Sequence, residues 1–234
     1  MYLFQFFGAT QFQGTAKFVA LSIVRNDARV LRYNSGAIFA PVSPSLMTPE
    51  FLIEHFRLEP LPVEGGLFHL YYRSAETVAA AALPPRYARA KNLGSAILYL
   101  HLAAERAAAR ETHPSAAPDH PPQPPPVSLL HRLTTDEIYH FYRGDPVTLL
   151  LLFPDGHFET RVLGAEYENG QAPVCVVPRG VWQGSCLQDG GQWALLGCTL
   201  APAYDDQDFE LGARDALCAQ YPDAADLIRR LTRP

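Results

Sequence analysis

Charge is scarce in this chain of 234 residues: Asp, Glu, Lys and Arg together make up 18% of it. The net charge is −5, and no segment carries a basic stripe. Nucleic-acid binding draws most of its affinity from clustered cations against phosphate, so no nucleic-acid partner is expected. Long apolar runs are also missing, so no membrane-spanning helix is expected. The four cysteines, Cys175, Cys186, Cys198 and Cys218, include no CxxC pair. That spacing argues against structural zinc. Cys175 and Cys198 sit in apolar, strand-like runs and read as buried thiols in a reducing compartment, which makes a cytoplasmic location the expectation. No internal repeat is found.

Acidic residues are nearly absent from residues 1–46, where Asp27 stands alone against Lys17, Arg25, Arg29 and Arg32. Such a composition occurs in transit peptides. A clean arginine-rich amphipathic helix is lacking, however, and KFVALSIV is too short and badly placed for a signal peptide. The stretch is read as a poorly ordered extension upstream of a start at Met47, with organellar targeting as the alternative.

What the chain does have is apolar residues (48%), 21 prolines and 16 glycines, a mixture that suits many short strands and turns. TPEFLIEHFRL, from Thr48, has the capping threonine, early proline and early glutamate of a helix start. LPVEGGLFHLYYRS and SAILYLHL read as strands. AAERAAARETHPSAAPDHPPQPPP, about residues 103–126, reads as a surface insertion that cannot bury apolar area. Then EIYHFYR, VTLLLLF, HFETRVL, APVCVVP and QWALLGCTL follow as strands. Between them stand RGDP, PDG, GAEYENGQ and RGVWQGSCLQDGG, read as connections. This spacing indicates an all-β sandwich or barrel. FELGARDALCAQY and PDAADLIRRLT close the chain as helical turns. One domain, residues 47–234, is expected to follow the extension.

The stretch HRLTTDEIYHFYRGDP concentrates the candidate chemistry. His131 and Glu137 are an even number of residues apart, and side chains alternate along an extended chain. If alternation holds across the intervening bend, both face one side. Tyr139 and Phe141 share the Glu137 face, whereas Ile138, His140 and Tyr142 take the other and suit an intersheet core or a subunit interface. A buried Glu137 needs a partner. A His–Glu pair suits proton transfer, because the carboxylate fixes the imidazole tautomer and raises its basicity.

His131, Glu137 and Gly144 resemble much of the first cupin motif, and PRGVWQG, from Pro178, resembles the core of the second. EGG at 64–66, YRS at 72–74, SLLHRL at 128–133, DEIYHFYRGDP at 136–146, VVPRGVWQG at 176–184, WALLGCTLAP at 193–202 and DFEL at 208–211 are similar to segments of the cupin-5 family. The resemblance covers about residues 48–234 apart from the insertion. It implies an all-β double-stranded β-helix, the cupin jelly roll, with a few flanking helices, a pocket between the sheets, and a homodimer. Leu133 and Gln183 stand where metal cupins carry histidines, and His69, Leu70 and Tyr71 replace an Arg-Glu-Thr-like run.

The resemblance therefore implies His131, Glu137 and Gln183 as the surviving metal set. One imidazole, one carboxylate and one amide hold a transition metal weakly, so the cofactor expectation is none or a weakly bound divalent metal. The leading reading is a small-molecule pocket of the sugar-epimerase or isomerase type. In it His131 moves protons as the base, Glu137 orients it, and Tyr139 is a further catalytic candidate. Gln183, Trp182, Phe141, Arg73 and Arg132 are the ligand-binding candidates, and a carbohydrate or sugar nucleotide is the candidate ligand. A metal-dependent oxygenase or isomerase and a non-catalytic binding module are the alternatives. Fold alone does not choose among them.

Overall fold

The computed structural model describes residues 47–103 and 126–233. These belong to one compact unit running from Ser43 to Pro234. The expected N-terminal extension lies outside the described residues, as does the insertion apart from its end residues, 103 and 126.

Helix α1, Pro49–Phe56, starts on Thr48, whose side chain accepts from the Phe51 N–H, and ends on Arg57 in the left-handed conformation. Thirteen described strands follow: β1 Glu59–Pro60, β2 Leu67–Arg73, β3 Thr77–Val78, β4 Lys91–Asn92, β5 Ser95–Leu102, β6 Val127–Leu133, β7 Glu137–Gly144, β8 Val147–Leu152, β9 Phe158–Leu163, β10 Val174–Val177, β11 Trp182–Leu187, β12 Trp193–Leu200 and β13 Phe209–Leu211. Two antiparallel sheets form the jelly roll. One is ordered β1-β2-β5-β12-β7-β10 and the other β13-β6-β11-β8-β9, with β3-β4 as a small separate ribbon. The all-β double-stranded β-helix with flanking helices is thus the observed fold.

Strand β8 shows why the second sheet is so apolar. Val147, Leu149 and Leu151 face the core between the sheets. Leu150 and Leu152 face the opposite way, into a second core with Leu217, Tyr221 and Ile228 of the C-terminal helical segment. Covered on both faces, the strand reads as an unbroken apolar run. Helices Arg214–Gln220 and Ala225–Arg230 supply that cover.

Two expectations need correction. RGVWQGSCLQDGG is not merely a connection, since its central six residues form β11 between β6 and β8. FELGARDALCAQY is not helical from its start, because Phe209–Leu211 pairs with β6 as β13. The four cysteines are free thiols, and Cys175, Cys186 and Cys198 are buried.

Candidate functional site

An irregularity in β6 builds the site. Gln183 of β11 stands opposite His131, and Ser185 stands opposite Ser128, so three steps on β6 match two on β11. This bulge lets Ser128 and His131, an odd number of residues apart, serve the same buried polar layer. It also leaves the Leu129 peptide available. The Leu129 carbonyl lies 2.8 Å from His131 Nδ1, and the Leu129 N–H donates to the Glu64 carbonyl at 2.8 Å.

Glu64 arrives from the turn before β2. Gly65 and Gly66 both have positive φ, 105° and 69°. A Cβ on Gly66 would stand 2.2 Å from the Tyr99 hydroxyl, so close approach as well as conformation demands glycine. The Tyr99 hydroxyl donates to the Gly65 carbonyl at 3.0 Å, and Ser128 Oγ donates to Glu64 Oε1 at 2.7 Å. Both contacts tie the turn into the jelly roll. Sequence reading missed Glu64 as a functional residue. Its only signal was the Glu-Gly-Gly turn itself.

On the facing sheet, Glu137 opens β7 and Tyr139 follows on the same buried face. Gln183 Nε2 donates to Glu137 Oε2 at 2.7 Å. His131 Nε2 lies 3.9 Å from the same oxygen, too long for a direct hydrogen bond and open to sharing with a third atom. Phe209 stacks on the His131 ring at 5.2 Å. His131, Glu137, Tyr139 and Gln183 are all at most 5% exposed.

The electrostatics follow from this crowding. Burial works against a charged His131, but the Glu64 carboxylate, the nearby Glu137 carboxylate and the Leu129 carbonyl overcome it and raise the imidazolium to about 9. Burial raises the Glu64 carboxyl, opposed by the charge on His131. Burial and then Glu137 hold Tyr139 well above the usual phenol range, and the same pair keeps the Cys198 thiol protonated. Deeper in, His101 Nε2 pairs with Ser185 Oγ at 2.9 Å, and burial lowers its imidazolium to about 3. Among the described residues the buried Gln183 Oε1 and Tyr139 hydroxyl have no hydrogen-bond partner, nor does His101 Nδ1 deeper in.

The structure brings His131, Glu137, Tyr139 and Gln183 together and adds Glu64. Phe141 packs partly buried against the core between the sheets. The other three ligand-binding candidates lie elsewhere. Trp182 alternates away from Gln183 and packs in the core beneath the C-terminal helices. Arg132 lies over the Trp182 ring at 4.5 Å and pairs with Glu210 at 2.7 Å. Arg73 is exposed and donates to the Tyr204 carbonyl at 3.1 Å. Beside the β6–β7 turn a pocket of about 340 Å³ is lined by Arg86, Arg132, Arg179, Leu133, Thr134 and Glu210, among others.

The expected metal set does not fit a metal as arranged. Gln183 turns its N–H, not its carbonyl, toward Glu137, and an amide N–H cannot ligate. Among the described residues no group of three or more His, Cys, Asp and Glu is placed to hold an ion. No described helix is long and apolar enough to cross a membrane.

Comparison with known proteins agrees with this architecture. A family profile described as "Cupin superfamily (DUF985)" matches residues 122–212. A solved structure from Shewanella oneidensis is similar at 30% identity and a TM-score of 0.61, over 81% of this chain and 99% of the other. A hypothetical protein from Leishmania major is similar at 25% identity and a TM-score of 0.63, over 80% and 99%. No curated protein matches.

Proposed function

The chain belongs to the cupin-5 family of the cupin superfamily (DUF985), and on that premise we propose that it binds a small molecule between its sheets and transfers protons to it, as an isomerase or epimerase does. One observation carries this reading: both nitrogens of His131 face acceptors. Nδ1 meets the Leu129 carbonyl at 2.8 Å, which requires an N–H there. In the neutral ring Nε2 would then aim a lone pair at the Glu137 carboxylate, 3.9 Å away. The ring relieves that repulsion by carrying both protons. His131 therefore starts the reaction as an acid, reversing the base role drawn from the sequence. Glu137, oriented by Gln183, balances its charge. Glu64, whose proton affinity burial raises, is the matching base.

The test is solvent exchange. The full chain is incubated in D2O with a mixture of small carbonyl compounds, followed by mass spectrometry. Deuterium bound to carbon in at least one compound, lost with His131→Asn, is expected. No incorporation with the unaltered chain contradicts the reading.

A further inference from the structure

The two unpartnered atoms specify what the site takes. The Gln183 amide cannot be turned round, because its carbonyl would then face the Glu137 carboxylate in place of the N–H that now donates at 2.7 Å. Its Oε1 is thus an acceptor, buried and lacking a donor. The Tyr139 hydroxyl is buried and also unpartnered. Leaving such groups unsatisfied is costly, and a complementary ligand recovers that cost. Tyr139 and Glu137 share a face of β7 two residues apart, about 7 Å along the strand, and Gln183 is anchored on Glu137. The two unsatisfied groups are therefore spaced for neighbouring substituents of one small molecule.

Charge narrows the choice. The carboxylates of Glu64 and Glu137 both act on the imidazole of His131. Of the described cations near this end, Lys91 pairs with Asp205 and Asp208, Arg132 with Glu210 and Arg179 with Asp136, while Arg86 lies over the Tyr87 ring and lines the separate pocket beside the β6–β7 turn. An anionic group beside the two carboxylates would be repelled at low effective dielectric. Resting on the proton-transfer reading above, we propose that the site takes an uncharged hydroxy-carbonyl compound, such as a free sugar, and selects against its phosphorylated or acidic counterparts. The ligand hydroxyl donates to Gln183 Oε1, and its carbonyl oxygen accepts from the Tyr139 hydroxyl.

The step balances without any further reactant. The bond from the α-carbon to hydrogen breaks and its proton goes to the Glu64 carboxylate. The electron pair forms the carbon–carbon double bond of an enediol as the carbonyl oxygen takes the His131 proton. Reversal in D2O returns a deuteron to carbon. A sugar nucleotide, one of the ligands considered from the sequence, would have to keep its diphosphate away from the carboxylates.

The experiment uses the full chain with dihydroxyacetone, D-fructose and the phosphates of each. Binding is followed by ligand-observed NMR and carbon-bound deuterium by mass spectrometry. Exchange into the free compounds at least tenfold faster than into the phosphates is expected, with Tyr139→Phe and Gln183→Leu each weakening binding at least tenfold. Faster exchange into the phosphates overturns the selectivity while leaving proton transfer standing, and would direct attention to the pocket lined by Arg86, Arg132 and Arg179. Selective binding of the free compounds without exchange supports the ligand class and removes the proton-transfer reading. Neither binding nor exchange overturns both. Full binding in Tyr139→Phe and Gln183→Leu overturns the recognition scheme.

Discussion

His131 is held through Nδ1 by the Leu129 carbonyl and faces the Glu137 carboxylate through Nε2, and its proton is bound more tightly in the folded chain than the ordinary 6.5 allows, up to about 9. A group raised in this way contributes stability that is fully present below pH 6.5 and lost as pH rises through 9. Glu64, raised above its ordinary 4.5, acts with the same sign over a more acidic window. Thermal melting is therefore expected to fall between pH 6.5 and 9.5, by on the order of 1–3 kcal/mol, and Glu64→Gln is expected to flatten that fall. A melting temperature that stays level or rises across this window would count against the assignment. Gln183→Leu removes the one donor that Gln183 gives Glu137 and is expected to cost about 1–3 kcal/mol in chemical denaturation. At this scale the sequence showed His131, Glu137, Tyr139 and Gln183 because motif spacing and strand parity are local. Glu64 was hidden, since its neighbourhood with His131 is a tertiary fact spanning a long stretch of chain. Trp182, Arg132 and Arg73 fall outside this cluster, because a motif match does not say which face of a sheet a side chain takes.

The Gly65–Gly66 turn is the element that delivers Glu64, and it can be tested against an open turn. Gly66 and Gly156 both have positive φ, but only Gly66 is crowded, by the Tyr99 hydroxyl; nothing lies near a Cβ on Gly156. Gly156→Ala is expected to cost about 1 kcal/mol from backbone strain alone. Gly66→Ala should cost clearly more in the same denaturation assay and should slow solvent exchange. Equal costs would show that the turn does not depend on close packing against Tyr99. Most strands were legible because their alternation or apolar runs are strong. Strand β11 was not, because WQGSCL mixes glycine, serine and glutamine into a strand covered on both faces, so neither strand pattern shows. Strand β13 was lost because its three residues adjoin the helix and borrow that pattern.

For the molecule as a whole, the outer face of the six-stranded sheet is the surface a second copy would cover. Val174 and Val176 are exposed on β10, opposite His140 and Ile138 of β7, and Tyr142 and Tyr72 are exposed on the same sheet. A two-fold pairing of this face with its own copy would satisfy the homodimer expectation drawn from the family resemblance. Light scattering is expected to give twice the chain mass, reduced to one chain mass by Val176→Lys combined with Tyr142→Lys. A single-chain mass for the unaltered protein would remove the homodimer, and a dimer that survives both substitutions would move the interface elsewhere.

An imidazolium on His131, balanced by the Glu64 and Glu137 carboxylates inside the jelly roll, is what the proton-transfer reading stands on. Its most direct test is the titration of the His131 ring nitrogens by NMR from pH 5 to 10, in the unaltered chain and in Glu64→Gln. A doubly protonated ring titrating near 9 is expected, shifted toward its ordinary value when Glu64 loses its charge. A ring that titrates at or below 6.5, or that ignores the Glu64 substitution, would contradict it.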